Sequence, residues 1–267
     1  MHDSLQTIQQ YWFIFQNEHL LLWRENNTLP SSMDHAPINA PLLRHFKLGC
    51  LNHLQYHGVE IEPNIAISED LQAIPLRQAL SLLRHDEYAW AVKAWSIILW
   101  DKNHQFCGRC GVKTSHQSTA FERQCPACHL SFFPRISPSI IVRIQKDDQI
   151  LMARSPHFPP GAYGLIAGFV DVGESIEEAV HREVMEEVGL TIKNLSYWGS
   201  QPWPFPDSLM LAFTADYASG QIVIDHKEIE EAGWYTRDHL PGLPSTKLSI
   251  ATQLIDEFLS NPYSVGR

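Results

Sequence analysis

Long apolar runs are missing from this chain. No stretch of about 18 consecutive apolar residues occurs, so no transmembrane helix is expected. Basic residues are scarce, 20 Lys and Arg against 30 Asp and Glu, for a formal net charge of −10. That balance disfavours sequence-independent binding along a nucleic-acid backbone, which depends on cationic neutralisation. It leaves room for a single nucleotide or one RNA end. The first residues, MHDSLQTIQQ, have neither a basic start nor a clean apolar core. A secretory leader is therefore not expected, and the expected compartment is the cytoplasm. Cysteine is also sparse, with five residues, four of them in two C-x2-C pairs. Such pairs, where no leader is expected, read as metal ligands rather than as a disulfide framework.

The chain has 267 residues and is 44% hydrophobic, enough for one large domain or two modest ones. Residues 1–100 read as an N-terminal α+β domain. Residues 11–23, YWFIFQNEHLLLW, predict two strands around a turn at Asn17. Residues 26–41 hold Pro30, Pro37 and Pro41 and read as loop. Residues 53–63 suggest a short hairpin around Gly58. From Pro75 the pattern becomes helical, with Leu76, Ala79, Leu80 and Leu83 on one face, then Tyr88 to Trp100 with Ala91, Trp95 and Ile98. The single Cys50 reads as a small buried hydrophobe.

Residues 101–134 form a small insert. Cys107 and Cys110 are followed, after 14 residues, by Cys125 and Cys128. Two such knuckles suit one tetrahedral Zn(Cys)4 site. Four protein thiolates leave no open position, so this zinc is expected to be structural. His104, His116 and His129 are then surplus to the shell and read as surface residues.

Residues 135–267 read as a third unit. Strands are expected at 139–144, 149–155, 163–170, 194–203, 208–218, 221–225 and from Trp234, with a last helix at about 247–260 after breaks at Pro241, Gly242 and Pro244. Residues 168–190, GFVDVGESIEEAVHREVMEEVGL, are the most informative stretch. Ser175 with Glu178 makes a capping box, and Gly189 suits a left-handed cap, so a helix is predicted over 176–188. Ile176, Val180, Val184 and Val188 form its apolar stripe. Glu183 and Glu187 share a face, with Glu186 close by. Like charges at that spacing cost a bare helix a few tenths of a kcal/mol. A divalent cation with oxygen ligands compensates them.

The same stretch resembles the Nudix hydrolase motif at Gly168, Glu174, Arg182, Glu183, Glu186, Glu187, Gly189 and Leu190. Residues 200–210, SQPWPFPDSLM, are similar to the motif of the NADH pyrophosphatase subfamily, as is the zinc ribbon just upstream. The resemblance implies a Nudix α/β/α sandwich on a mixed sheet, within an α+β chain. It implies metal-dependent hydrolysis of NADH or NAD⁺ to nicotinamide mononucleotide and AMP, and removal of NAD caps from RNA 5′ ends. It further implies Mg²⁺ or Mn²⁺ and a homodimer. The catalytic residues carried over are Arg182, Glu183, Glu186 and Glu187. The metal ligands carried over are Glu183, Glu187, the Ala167 carbonyl and an acid of DHKEIEEAGW. By position that acid is Glu228, since Glu230 and Glu231 stand nearer the strand at Trp234. Substrate contacts are implied at Phe133, Gln201, Pro202, Trp203, Pro204, Phe205, Pro206, Asp207, Ser208 and Ala251. Three prolines stiffen the QPWPFP segment, and Trp203 and Phe205 offer rigid faces on which a base can stack. Two positions depart from the subfamily: Phe133 stands where a tyrosine is usual, and Asp207 where a polar uncharged residue is common.

Two classes stay open on the sequence. One is the dinucleotide pyrophosphatase. The other is a zinc-ribbon binding module whose Nudix-like part only scaffolds RNA or protein recognition. Within the enzyme class, ADP-ribose or a diadenosine polyphosphate is the competing substrate, and the SQPWPFP segment argues against it.

Overall fold

The computed structural model describes residues 8–116, 121–243 and 248–260. The break at Pro244, the first residue of the expected last helix, 247, and residues 1–7 of the amino-terminal stretch lie outside these. The chain separates into two compact units, Met1–Arg135 and Ile136–Arg267.

The first unit opens with strands β1 (Gln10–Gln16), β2 (His19–Trp23), β3 (Ser31–Ser32), β4 (Leu42–Leu51), β5 (Leu54–Ile61) and β6 (Leu71–Pro75). Helices α1 (Leu76–Ala79) and α2 (His85–Asn103) follow. The strand order is β4-β5-β1-β2-β6, with β3 pairing β1. The β1–β5 pair is parallel, and the other pairs are antiparallel. Alternation along β1 divides the side chains between the two faces. Trp12 and Ile14 join Leu21, Val59, Ile61 and Leu71 in one buried cluster. Phe15 meets Trp95 of α2, with ring centroids 5.1 Å apart.

Two expectations for this unit are corrected. Gly58 does not turn a hairpin; it lies in the middle of β5, and the hairpin turn sits at Asn52 and His53, both at positive φ. A Cβ at Gly58 would stand 3.1 Å from the Ala94 Cβ, so the glycine permits α2 to lie close on the sheet. Cys50 is exposed rather than buried, and its Sγ donates to Gln55 Oε1 at 2.9 Å. It sits at the end of β4, where the side chain reaches solvent.

The ribbon belongs to the same unit. It consists of β7 (Ser115–His116), β8 (Arg123–Gln124) and β9 (Ser131–Phe132), in that order and antiparallel. It is fastened to α2 through Asp101. That buried carboxylate accepts from Arg44 Nε at 2.8 Å and Gln105 Nε2 at 3.0 Å, and pairs with Arg123 and with His116 at 2.6 Å. A buried charge is tolerable when it is paired and hydrogen-bonded in this way. His116 therefore has a partner besides solvent, and His104 is half-buried with Nδ1 2.7 Å from the Trp100 carbonyl oxygen.

The second unit contains β10 (Ser137–Lys146), β11 (Gln149–Arg154), β12 (Ile166–Phe169), α3 (Ile176–Val188), β13 (Thr191–Trp203), β14 (Ser208–Ser219), β15 (Glu231–Thr236) and α4 (Ile250–Ser260). Its order is β13-β14-β10-β11-β15, with β12 on β10; β10 and β14 run parallel. Ile140, Val142 and Ile144 face the cluster that holds Val180, Val184 and Val188 of α3. Ile141 faces the opposite cluster, with Leu254, Ile255 and Phe258 of α4. The mixed sheet thus lies between two helices, the expected α/β/α sandwich. Each buried valine of α3 contributes roughly 2 kcal/mol. The expected strand at 221–225 is absent, because that segment bonds instead to the end of α3 (Val223 N to Val188 O, 3.0 Å).

The two sheets share one plan: a hairpin whose first strand also pairs, in parallel, with the second strand of another hairpin. In the first unit no helix stands between β3 and β4, the place that α3 takes between β12 and β13.

Candidate active site and zinc centre

Helix α3 starts and stops where its own residues dictate. Ser175 Oγ accepts from Glu178 N at 3.3 Å, and Glu178 Oε2 accepts from Ser175 N at 2.7 Å. Gly189 closes the helix at φ 68°, with its N–H on the Met185 carbonyl. Between these caps the apolar stripe sinks into the core and carries Glu183 and Glu187 partly with it. Both carboxylates are buried, at 7% and 6% exposure.

Glu183, Glu187 and Glu228 each bring an oxygen within 4.8 Å of the others. Burial first, then Glu183 and Glu228, push the Glu187 carboxyl up to about 8. Burial also raises Glu183, against the opposing pull of Arg182. Three acids converge, yet of these three the cation beside them, Arg182, bonds to Glu183 alone (2.9 Å), its other contacts including the exposed Glu186 (3.1 Å). This donor set fits a hard divalent cation with oxygen ligands. Glu228 arrives by tertiary routing. Asp225 N donates to the Glu187 carbonyl at 3.1 Å, and the turn that follows presents Glu228. The competing acids are occupied elsewhere: Glu230 pairs with Arg154, and Glu231 accepts from the Tyr163 hydroxyl.

Gly168 lies on β12, where any Cβ would overlap the Glu183 carboxylate. Its carbonyl accepts from the buried Ser139 Oγ at 2.9 Å. Ala167, half-buried on the same strand, stands opposite Ile141. Arg182 ties the glycine loop to the helix. It donates to Glu174 through Nε (3.1 Å) and Nη2 (2.6 Å), and to the Phe169 carbonyl at 2.9 Å. Glu174, read from sequence only as a motif position, is thus a principal partner of Arg182, and those bonds hold its carboxyl below the usual range. The eight-residue spacing from Glu174 to Arg182 was the available signal.

The QPWPFP segment forms the end of β13 and the turn into β14. Trp203 pairs with Ser208 across the hairpin, and 204–207 is the turn itself. The Trp203 and Phe205 rings meet edge to face at 5.3 Å. Pro204 and Ser208 are buried, Pro206 and Pro202 exposed, and the Asp207 carbonyl accepts from Ser137 N at 2.9 Å. Gln201 is spent on the fold: its Nε2 donates to the Leu248 carbonyl and its Oε1 accepts from Ile250 N, both at 2.7 Å. Ala251 is half-buried on α4 against the core, and Phe133 is exposed in the first unit.

In the ribbon, Cys107, Cys110, Cys125 and Cys128 form one cluster. Sulfur separations are 3.6 Å (Cys107–Cys128), 3.4 Å (Cys110–Cys125) and 3.8 Å (Cys110–Cys128). Zinc–sulfur bonds of about 2.3 Å give tetrahedral edges of about 3.8 Å, so the four thiols fit a structural zinc. Backbone N–H groups of Cys128 and Ala127 aim at Cys125 and hold its thiol below its ordinary range, against burial.

No helix among the described residues is long and apolar enough to cross a membrane. Family models match along the chain: a NUDIX domain at residues 134–258, an NADH pyrophosphatase zinc ribbon domain at 102–133, and an NADH pyrophosphatase-like rudimentary NUDIX domain at 9–100. The last accounts for the shared plan of the two sheets. A Pseudomonas aeruginosa (strain LESB58) protein named NAD-capped RNA hydrolase NudC is 48% identical over 186 residues, 70% of this chain and 66% of that protein. The Chromobacterium violaceum protein of the same name is 39% identical over 257 residues, 93% of this chain and 91% of that one. A Nudix hydrolase structure from Nitrosomonas europaea superposes with a TM-score of 0.51 at 16% identity, covering 59% of this chain and 92% of that one, and speaks for the fold alone. With three family domains in this order and a relative matched over nearly its full length, the chain belongs to the Nudix superfamily, in its zinc-ribbon NADH pyrophosphatase branch.

Proposed function

We propose that this protein hydrolyses the pyrophosphate bond of NADH and NAD⁺, giving nicotinamide mononucleotide, reduced or oxidised, and AMP, and that it removes NAD caps from RNA 5′ ends. The observation that carries this reading is the convergence of Glu183, Glu187 and Glu228 beside a glycine that has room for no side chain. The relatives' name, NAD-capped RNA hydrolase, supports the choice of substrate. Glu183, Glu187 and Glu228, with the Ala167 carbonyl, would hold Mg²⁺ or Mn²⁺. Such a cation, when bound, neutralises phosphate charge and acidifies the attacking water. Arg182 holds Glu183 and Glu186 in place and keeps the glycine loop against the helix. Bidentate guanidinium contacts of this type fix orientation as well as charge. Trp203 and Phe205 supply an aromatic edge and face for one base of the dinucleotide, backed by the hairpin turn. Pro202, Pro204, Pro206, Asp207, Ser208, Gln201, Ala251 and Phe133 complete the proposed substrate-binding set, Gln201 by holding the start of α4. The protein works as a cytoplasmic homodimer of chains folded as 1–100, 101–134 and 135–267.

Glu187→Gln tests the reading. The helix caps and apolar stripe are untouched, so circular dichroism should match wild type. Release of AMP from NADH should fall at least about tenfold, equivalent to about 1.4 kcal/mol of barrier. Near-wild-type turnover would remove Glu187 from the metal site.

A further inference from the structure

Glu228 is the exposed member of the acidic cluster, and it stands on a turn rather than on a helix or strand. On the upstream side that turn is tied to α3 by the bond from Asp225 N to the Glu187 carbonyl. It is closed by Glu228 N and Ile229 N, which donate to the Asp225 carbonyl at 3.1 and 2.9 Å, and by Lys227 N on Asp225 Oδ1 at 3.0 Å. On the downstream side Ile229 is buried in the core cluster, β15 begins at Glu231 opposite Arg154 of β11, and Arg154 itself makes two bonds to the intervening Glu230. The Arg154 carbonyl accepts from Glu230 N at 2.8 Å, and its guanidinium pairs with the Glu230 carboxylate. The same guanidinium donates to the Phe158 carbonyl at 3.4 Å. Its side chain is 15% exposed, against 45% for Glu230, so the pair is rooted on the sheet side. Strand β11 pairs β10, the strand that also carries β12 and Gly168.

We infer that Arg154 is a positioning residue for Glu228: through Glu230 and the Phe158 carbonyl it anchors the turn to the sheet that holds the rest of the cluster. The inference rests on the proposed metal-dependent reading. A ligand on a turn fastened at both ends loses little freedom on binding a cation; with the side-chain link to Glu230 gone, the backbone bond of Glu230 N and the buried Ile229 remain, and the cation must itself order more of the turn. Partners behind a ligand commonly change metal affinity about 10–100-fold when removed.

The test is Mn²⁺ binding to the full-length, zinc-loaded protein, followed by electron paramagnetic resonance, for wild type, Arg154→Met, Arg154→Lys, Glu230→Gln and the Arg154→Met/Glu230→Gln double variant. Glu187→Gln marks the site. We expect Arg154→Met and Glu230→Gln each to weaken the Glu187-dependent Mn²⁺ by about tenfold. The double variant should be no worse than either, and Arg154→Lys should recover part of the loss. If Arg154→Met does not fold, Glu230→Gln carries the same expectation. Wild-type Mn²⁺ affinity in both single variants, with only a lower melting temperature, would make the pair a fastening of β11 to β15 and overturn the inference. Additive losses in the double variant would also overturn it, since Arg154 would not act through Glu230. Absence of Glu187-dependent Mn²⁺ in wild type would sink the metal reading and the inference together; normal binding in wild type with unaffected variants sinks the inference alone.

Discussion

Gly168 has no side chain because the Glu183 carboxylate lies where one would be. Gly168→Ala should therefore displace Glu183 and lower turnover on NADH by about tenfold or more, about 1.4 kcal/mol. The glycine sits in a strand, so the melting temperature should move far less than kcat; a parallel collapse of both would mark a fold defect instead. Trp203 is tested by selectivity. Trp203→Ala should reduce kcat/KM on NADH by about tenfold, within the roughly 1–3 kcal/mol that stacking one base contributes. A small pyrophosphate without that base should be affected much less. Equal losses would show that Trp203 packs against Phe205 for the fold and not for the ligand. At this scale the sequence was legible where spacing along one helix carried the information, as for Glu183 and Glu187. It was not legible for Gln201, whose amide caps α4 from 49 residues away in sequence at Ile250.

Secondary elements divide in the same way. Helix α3 is written into its own residues: Ser175 and Glu178 at one end, Gly189 at the other, valines every four between. Strand β5 is not, because its hairpin turn uses Asn52 and His53 while a glycine sits mid-strand under α2. That strand also brings His57 against Trp12, with centroids 4.1 Å apart, and 2.8 Å from His45. Burial, then His45 and Lys47, lower the His57 imidazole from 6.5 to about 4. The unfolded chain takes up this proton near its ordinary value and the folded chain only near 4. The stability it contributes is therefore present above about 6.5 and is lost as pH falls toward 4. Wild type should lose more melting temperature between pH 7 and pH 4.5 than His57→Phe, which keeps an aromatic ring on Trp12 but does not titrate. Equal pH slopes by calorimetry would remove His57 as the cause.

Across the whole molecule the ribbon is the part that most needs its ion. A structural zinc contributes directly to folding. Elemental analysis after exhaustive dialysis should find about one zinc per chain. Cys125→Ser should lose that zinc and lower the melting temperature, and because Asp101 fastens the ribbon to α2 and β4, the loss should spread through the first unit. Zinc-free protein of undiminished stability would contradict this. The sequence by itself determined whatever depends on near neighbours. The two C-x2-C knuckles, the capped, motif-bearing helix α3 and the alternation of β10 are set by local backbone geometry and side-chain period, and they are enough to name the superfamily. Tertiary structure decided what depends on distant segments meeting. The first unit repeats the sheet plan of the second without a counterpart of α3, and strand patterns are too generic to reveal that when the motif-bearing helix is missing. Residues 221–225 satisfy their backbone groups on the end of α3 instead of in a sheet, a choice made by the partner available and not by their β-forming side chains. That pairing delivers Glu228 to Glu183 and Glu187, completing a cluster whose third carboxylate comes from a turn about 40 residues beyond the other two.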